Sequence, residues 1–109
     1  MATLTVQQIA PTGTVPTFVA AAVGGDAFAN DGKTTLHVAN GSGSTITVSI
    51  TAQSDCNQGF AHDGGGTVAD GLTASFGPFD RQRFNDPETG YVEVTYSAVT
   101  TVTVAVTKT

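Results

Sequence analysis

The sequence predicts an all-β domain, and three observations carry that prediction. Residues 91–107 read YVEVTYSAVTTVTVAVT, with apolar side chains at nearly every second position. That is the period of a strand with one buried and one solvated face. β-Branched residues abound, with nineteen Thr and thirteen Val, and such side chains pack well on a pleated surface. Turn residues punctuate the chain at intervals of roughly eight to twelve residues, and no amphipathic segment of helical period separates the apolar runs, which argues against a parallel α/β sheet. The expected architecture is a single-domain antiparallel β-sandwich or small barrel of about eight short strands, jelly-roll or Ig-like.

A first strand is predicted over Thr3–Ile9, ended by PTGTVP, whose two prolines and glycine interrupt pairing. The stretch VPTFVAAAVGG that follows (15–25) is apolar without clean alternation and too short to cross a bilayer. It reads either as a buried core strand or as a strip covered by a partner, and residues 1–23 are a candidate contact arm or edge strand. GGDAFANDGK (24–33) reads as a loop turned by Asn30-Asp31-Gly32. Thr34–Ala39 then reads as a strand with Leu36 and Val38 inward and His37 outward. Across Asn40-Gly41-Ser42-Gly43, Ile46, Val48 and Ile50 alternate with Thr and Ser, so the two runs are expected to form a hairpin.

Gln53–Gly66 reads as an exposed loop, with Gly64-Gly65-Gly66 as a turn. Short strands are expected at Thr67–Ala69 and Leu72–Phe76, before the turn-rich GPFDRQRFNDPETG (77–90), whose Phe79 and Phe84 need burial. As one strand, the run 91–107 would span roughly 55 Å, too long for a body with a radius of gyration of about 13 Å. A turn near Ser97–Thr100 and a terminal hairpin are therefore predicted.

The chain length of 109 residues fits a single domain. A net charge of −5 argues against a nucleic-acid partner, which calls for a basic stripe, and against an anionic membrane surface. Only 12% of residues are charged, about half the usual share, so the surface can be laid on another protein with little charge desolvation. The N-terminus lacks a basic region followed by an apolar core, and the lone Cys56 has no disulfide partner within the chain. Cytoplasmic synthesis is the expectation.

Few residues suggest chemistry. Asp55, Cys56, His62 and Asp63 are the densest polar group, yet they lack the paired spacing of a zinc site. Nucleophilic use of Cys56 would need His62 within hydrogen-bond reach. Asp26, Asn30 and Asp31 have Phe28 where a calcium loop needs an oxygen ligand. Asp86 and Glu88 are too close in sequence to stand across a sugar cleft. The Gly-rich stretches lack the Lys-Ser or Lys-Thr of a phosphate loop. Arg81 and Arg83 read either as partners in local salt bridges or as interface anchors. No catalytic, cofactor or metal site is expected, and the chain is not read as an enzyme.

The order NDGKTTLHVANGSGSTITVSIT, then GPFDRQRFND, then GYVEVTYSAVTTVTVAVTK resembles small head decoration, or capsid cement, proteins encoded beside the major capsid protein in tailed bacteriophages. The resemblance covers roughly residues 25–108 and rests on turn and strand motifs. It implies a structural virion protein on the capsid exterior that binds across subunits of the major capsid protein, commonly as a homotrimer. Val15, Phe18, Phe79, Arg81, Arg83 and Phe84 are then the candidate interface residues. The alternatives are a tail, neck or fibre-associated phage component, or a carbohydrate- or cell-surface-binding β-sandwich.

Overall fold

One-sided strands bury their apolar faces against a second layer, and here two five-stranded sheets do so. The computed structural model describes residues 2–53 and 63–108. In chain order the strands are β1 (Ala2–Thr3), β2 (Val6–Gln8), β3 (Val19–Ala20), β4 (Asp26–Ala29), β5 (Thr34–Asn40), β6 (Ile46–Ile50), β7 (Gly64–Val68), β8 (Thr73–Phe76), β9 (Tyr91–Tyr96) and β10 (Val102–Lys108). One helical turn, α1 (Arg81–Phe84), lies between β8 and β9.

The first sheet has the order β1-β4-β9-β6-β7, and the second β2-β10-β5-β8, with β3 also on β10. Most pairings are antiparallel, but β1 runs parallel to β4 and β2 parallel to β10, so both sheets are mixed. The inward faces meet as the alternation predicts. Phe28, Leu36, Val48, Ile50, Val92 and Val104 are each at most 1% exposed, and full burial of such side chains stabilises by about 1.5–3 kcal/mol apiece.

Connectivity departs from the sequence reading in two places, for one reason. β5 belongs to the second sheet and β6 to the first, so residues 41–45 cross the sandwich instead of closing a hairpin. β9 and β10 likewise lie in opposite sheets, joined by an arch over 97–101. Alternation marks which side of a strand is apolar; it does not distinguish two strands sharing a sheet from two facing each other across the core. The crossings have their own hardware. Asn40 is buried and donates from Nδ2 to the carbonyls of Ser44 (2.7 Å) and Val68 (2.8 Å), while its Oδ1 accepts from the Ser42 amide (3.0 Å). The Gly41 amide donates to the Thr101 carbonyl (3.0 Å), tying one crossing to the other.

Three further segments differ. Residues 26–29, expected as loop, form β4, with Asp26 and Phe28 buried on its inward side. The predicted strand Thr3–Ile9 breaks at Leu4–Thr5 and changes sheets, Leu4 staying 6% exposed with its amide on the Ala27 carbonyl (2.7 Å). Gly64-Gly65-Gly66, expected as a turn, opens the edge strand β7. Glycine is required at 65, where φ is +106° and an added Cβ would collide with the Val48 carbonyl, while one on Gly64 would crowd the Phe84 ring at 3.1 Å.

Phe79 and Phe84 are buried, as their place in a turn-rich segment requires, at 4% and 7% exposure. Phe79 packs on Phe28 (centroids 5.6 Å apart) and edge-on to Phe84 (5.8 Å). Asp80 caps α1, its Oδ1 accepting from the Gln82 amide (2.9 Å). A polar node completes the anchorage: Asn30 donates to the Phe79 carbonyl (3.0 Å), and Asn85 donates to the carbonyls of Asn30 (2.9 Å) and Gly90 (3.1 Å).

Candidate docking surface

The first 25 residues contain no charged side chain. They supply β1, β2 and β3, which together form one side of the sandwich, and the segment between β2 and β3 is held by its backbone. The Ala10 amide donates to Thr14 Oγ1 (2.9 Å), and the Gly13 amide to the Ala10 carbonyl (3.0 Å). Gln7 and Thr17 exchange two bonds, Thr17 amide to Gln7 Oε1 (2.8 Å) and Gln7 Nε2 to the Thr17 carbonyl (3.0 Å). β3 then pairs with β10, and the Ala21 amide reaches the Val102 carbonyl (3.0 Å).

With the backbone bound inward, the side chains turn out. Six large hydrophobic side chains are exposed among the described residues, and five belong to this stretch: Ile9, Val15, Phe18, Val19 and Val23, with Val15 92% and Val23 86% exposed. The sixth, Leu72, lies in the turn between β7 and β8. Of the two readings left open for residues 15–25, the core strand is therefore excluded: only Ala21 among their large or small apolar side chains is buried.

The outer face of the second sheet continues this surface. Its outward residues on β5, β8 and β10, among them Thr35, Ala39, Ser75 and Thr103, are uncharged. At its centre His37 bridges two hydroxyls, Nδ1 to Ser75 Oγ and Nε2 to Thr107 Oγ1, both 2.9 Å. In the neutral ring one nitrogen donates and the other accepts, and a hydroxyl can serve either. Partial burial holds the ring's pKa below its ordinary value. The Phe18 ring stands beside it, centroids 6.5 Å apart.

Charge gathers elsewhere. The connections 30–33 and 77–90, with Asp63, lie at the end of the sandwich where β4, β6 and β8 finish, and they carry most of the charged side chains of the described residues. Arg81 and Arg83 belong to this charged end; both are exposed, Arg81 running its stem over Gly32 and Arg83 placing its guanidinium 4.7 Å from the Phe84 ring centroid. The six candidate interface residues thus divide. Val15 and Phe18 are exposed on the uncharged side, the two arginines lie at the charged end, and Phe79 and Phe84 are taken up by the core, which corrects their reading as contact residues. Ile9, Val19 and Val23 lie within residues 1–23, read from the sequence as a candidate contact arm or edge strand, but were not singled out there by residue.

Other sequence candidates resolve as local structure. Asp86 Oδ1 accepts from the Glu88 amide (2.8 Å), fixing a turn, and Asp63 Oδ1 accepts from the Ala52 amide (2.8 Å). Asp55, Cys56 and His62 lie outside the described residues. Among the described residues no three His, Cys, Asp or Glu side chains are grouped to hold a metal ion, and no helix is long and apolar enough to cross a membrane. Comparison with protein-family models, with curated proteins and with solved structures finds no match.

Proposed function

We propose that this chain is a structural virion protein that decorates the outside of a bacteriophage capsid, binding across subunits of the major capsid protein and stabilising the shell. The observation that carries the reading is the concentration of five exposed apolar side chains, Ile9 to Val23, in a stretch of 25 residues that carries no charge. Large apolar side chains left exposed together on a small protein point to a contact surface, and the cores of protein interfaces are depleted in charge. The motifs that resemble decoration proteins supply the kind of partner, and the same resemblance favours a homotrimer.

The test is co-sedimentation of the purified protein with matching expanded capsids, together with the heat stability of virions that lack it. Saturable binding and earlier heat rupture of the deficient virions are expected. Absence of binding, or equal heat stability, removes the proposal. Copy number separates the alternative of a neck or fibre component: a decoration protein is present in many copies spread over the shell, whereas a neck or fibre component is confined to one vertex.

A further inference from the structure

Asn40 precedes Gly41 where the chain leaves β5 for the opposite sheet, and this is the one Asn-Gly pair in the sequence. Such a pair is chemically reactive. No side chain shields the backbone nitrogen of glycine, so in an open chain that nitrogen reaches the side-chain carbonyl carbon of the asparagine before it. The fold engages the polar atoms that this reaction needs. The Gly41 nitrogen donates to the Thr101 carbonyl (3.0 Å). Asn40 Nδ2 donates to the carbonyls of Ser44 and Val68, and Oδ1 accepts from the Ser42 amide. The Asn40 backbone is held as well, its amide donating to the Leu72 carbonyl (3.0 Å) and its carbonyl accepting from the Gly71 amide (2.7 Å). At 2% exposure the residue is also shut off from bulk water.

We infer that Asn40 is a deamidation site which the native fold keeps closed, and that its conversion latches an opened chain out of the fold. The reaction needs only water. Once the crossing opens, the Gly41 nitrogen bonds to Cγ of Asn40 and the Cγ–Nδ2 bond breaks, Nδ2 taking up the Gly41 amide proton and leaving as ammonia. Water then opens the cyclic imide at Cγ, giving aspartate, or at the backbone carbonyl carbon of residue 40, giving isoaspartate. Neither product fits the place that asparagine holds. An ionised carboxylate has no donor, so aspartate sets an oxygen against the Ser44 and Val68 carbonyl oxygens that Nδ2 binds and buries a charge among groups that do not pair with it. Isoaspartate lengthens the main chain between β5 and Gly41, where the bonds to Leu72, Gly71 and Thr101 fix it on both sides. These bonds, with that from the Gly43 amide to Asp70 Oδ1 (2.9 Å), tie residues 40–44 to the connections 69–72 and 97–101. Closing again therefore requires all three segments to meet around residue 40. Chemical change of an opened chain makes unfolding irreversible, and here the reactive pair sits at the joint of both crossings.

The experiment incubates the full chain at mildly alkaline pH, native in one arm and unfolded in guanidinium chloride in the other, and follows conversion at residue 40 by tandem mass spectrometry. Conversion at least about tenfold slower in the native arm is expected, because it passes through a rarely populated opened state. Equal rates, or no conversion in either arm, would overturn the closed site. The unfolded arm is then diluted to refold. Soluble refolded chains should retain Asn40 while converted chains gather in the aggregated fraction; converted chains refolding at their original share would overturn the latch. Asn40→Asp supplies one product directly, with Asn40→Ala as the control for loss of the bonds alone. At neutral pH Asn40→Asp should have a lower urea midpoint than Asn40→Ala, or no folded state, and the gap should close below about pH 4, where a protonated carboxyl again offers a donor. A midpoint equal to that of the unaltered protein, or a gap that pH leaves unchanged, would overturn the latch, and should neither variant fold, the refolding arm decides.

Discussion

The phenol of Tyr96 on β9 donates to Oδ2 of Asp26 on β4 at 2.8 Å, joining two residues seventy positions apart inside the sandwich. Asp26 is 1% exposed, Oδ2 also accepts from the Ala22 amide (3.3 Å), and Oδ1 has no hydrogen-bond partner among the described residues. Removing the phenol would leave this carboxylate nearly unsatisfied, which costs about 1–3 kcal/mol. Tyr96→Phe is therefore expected to lower stability by that amount, read as a fall in the urea midpoint at neutral pH.

The same contact sets a response to alkali. Burial first, then the Asp26 hydrogen bond and charge, push the Tyr96 pKa well above its ordinary value. A raised folded pKa gives stability that is complete below the unfolded value, about 10, and is lost as pH rises beyond it. The urea midpoint is expected to fall between pH 9 and 11, by less in Tyr96→Phe than in the unaltered protein. Equal slopes would deny the coupling.

His37 responds at the other end of the scale. Burial lowers its pKa, so the unfolded chain takes up the proton first as pH falls. Its contribution to stability is present above the unfolded value, about 6.5, and is lost as pH drops through the lower folded value. An NMR titration should place the ring below an exposed histidine, and His37→Gln should flatten the acid limb of the stability profile. Because the neighbouring outward positions offer Ser75, Thr107, Ala105 and Phe18 and no carboxylate, no counter-charge opposes that direction.

How much was legible follows from what alternation encodes. Leu36 and Val38, Ile46, Val48 and Ile50, and Val92 and Val94 were assigned inward from period alone, and all are at most 2% exposed. Partnership was not legible, because an arch and a hairpin place the same residues inward. β4 was hidden because residues 24–33 read as one loop turned by Asn30-Asp31-Gly32; the burial of Asp26 and Asn30 depends on Tyr96 and Asn85, 70 and 55 positions away. The docking surface was half legible: Val15 and Phe18 stood out as apolar, but exposure is set by how Gln7 and Thr17 strap the segment to the sheet, and no local pattern states that.

Inward parity makes the strongest stability prediction. Ile50 is fully buried on β6, and Ile50→Asp places a carboxylate where apolar contacts stood. A buried unpaired charge costs several kcal/mol, comparable with the roughly 5–15 kcal/mol total of a native domain. Loss of the cooperative thermal transition is expected, whereas an unchanged melting temperature would refute the placement.

Gly65 separates steric demand from backbone conformation. Its φ is +106°, and an added Cβ would run into the Val48 carbonyl of the neighbouring strand. Gly71 also has a positive φ (+80°), but nothing lies within 4 Å of its Cβ position. Gly71→Ala therefore carries only the conformational cost, of order 1 kcal/mol. Gly65→Ala adds a backbone collision that only displacement of β7 from β6 relieves, so its loss is expected to exceed that of Gly71→Ala by at least about 1–2 kcal/mol. Urea midpoints of the two variants decide the point: equal shifts would mean that β7 yields freely at its glycines, and the account of the triplet as a packing requirement would fail.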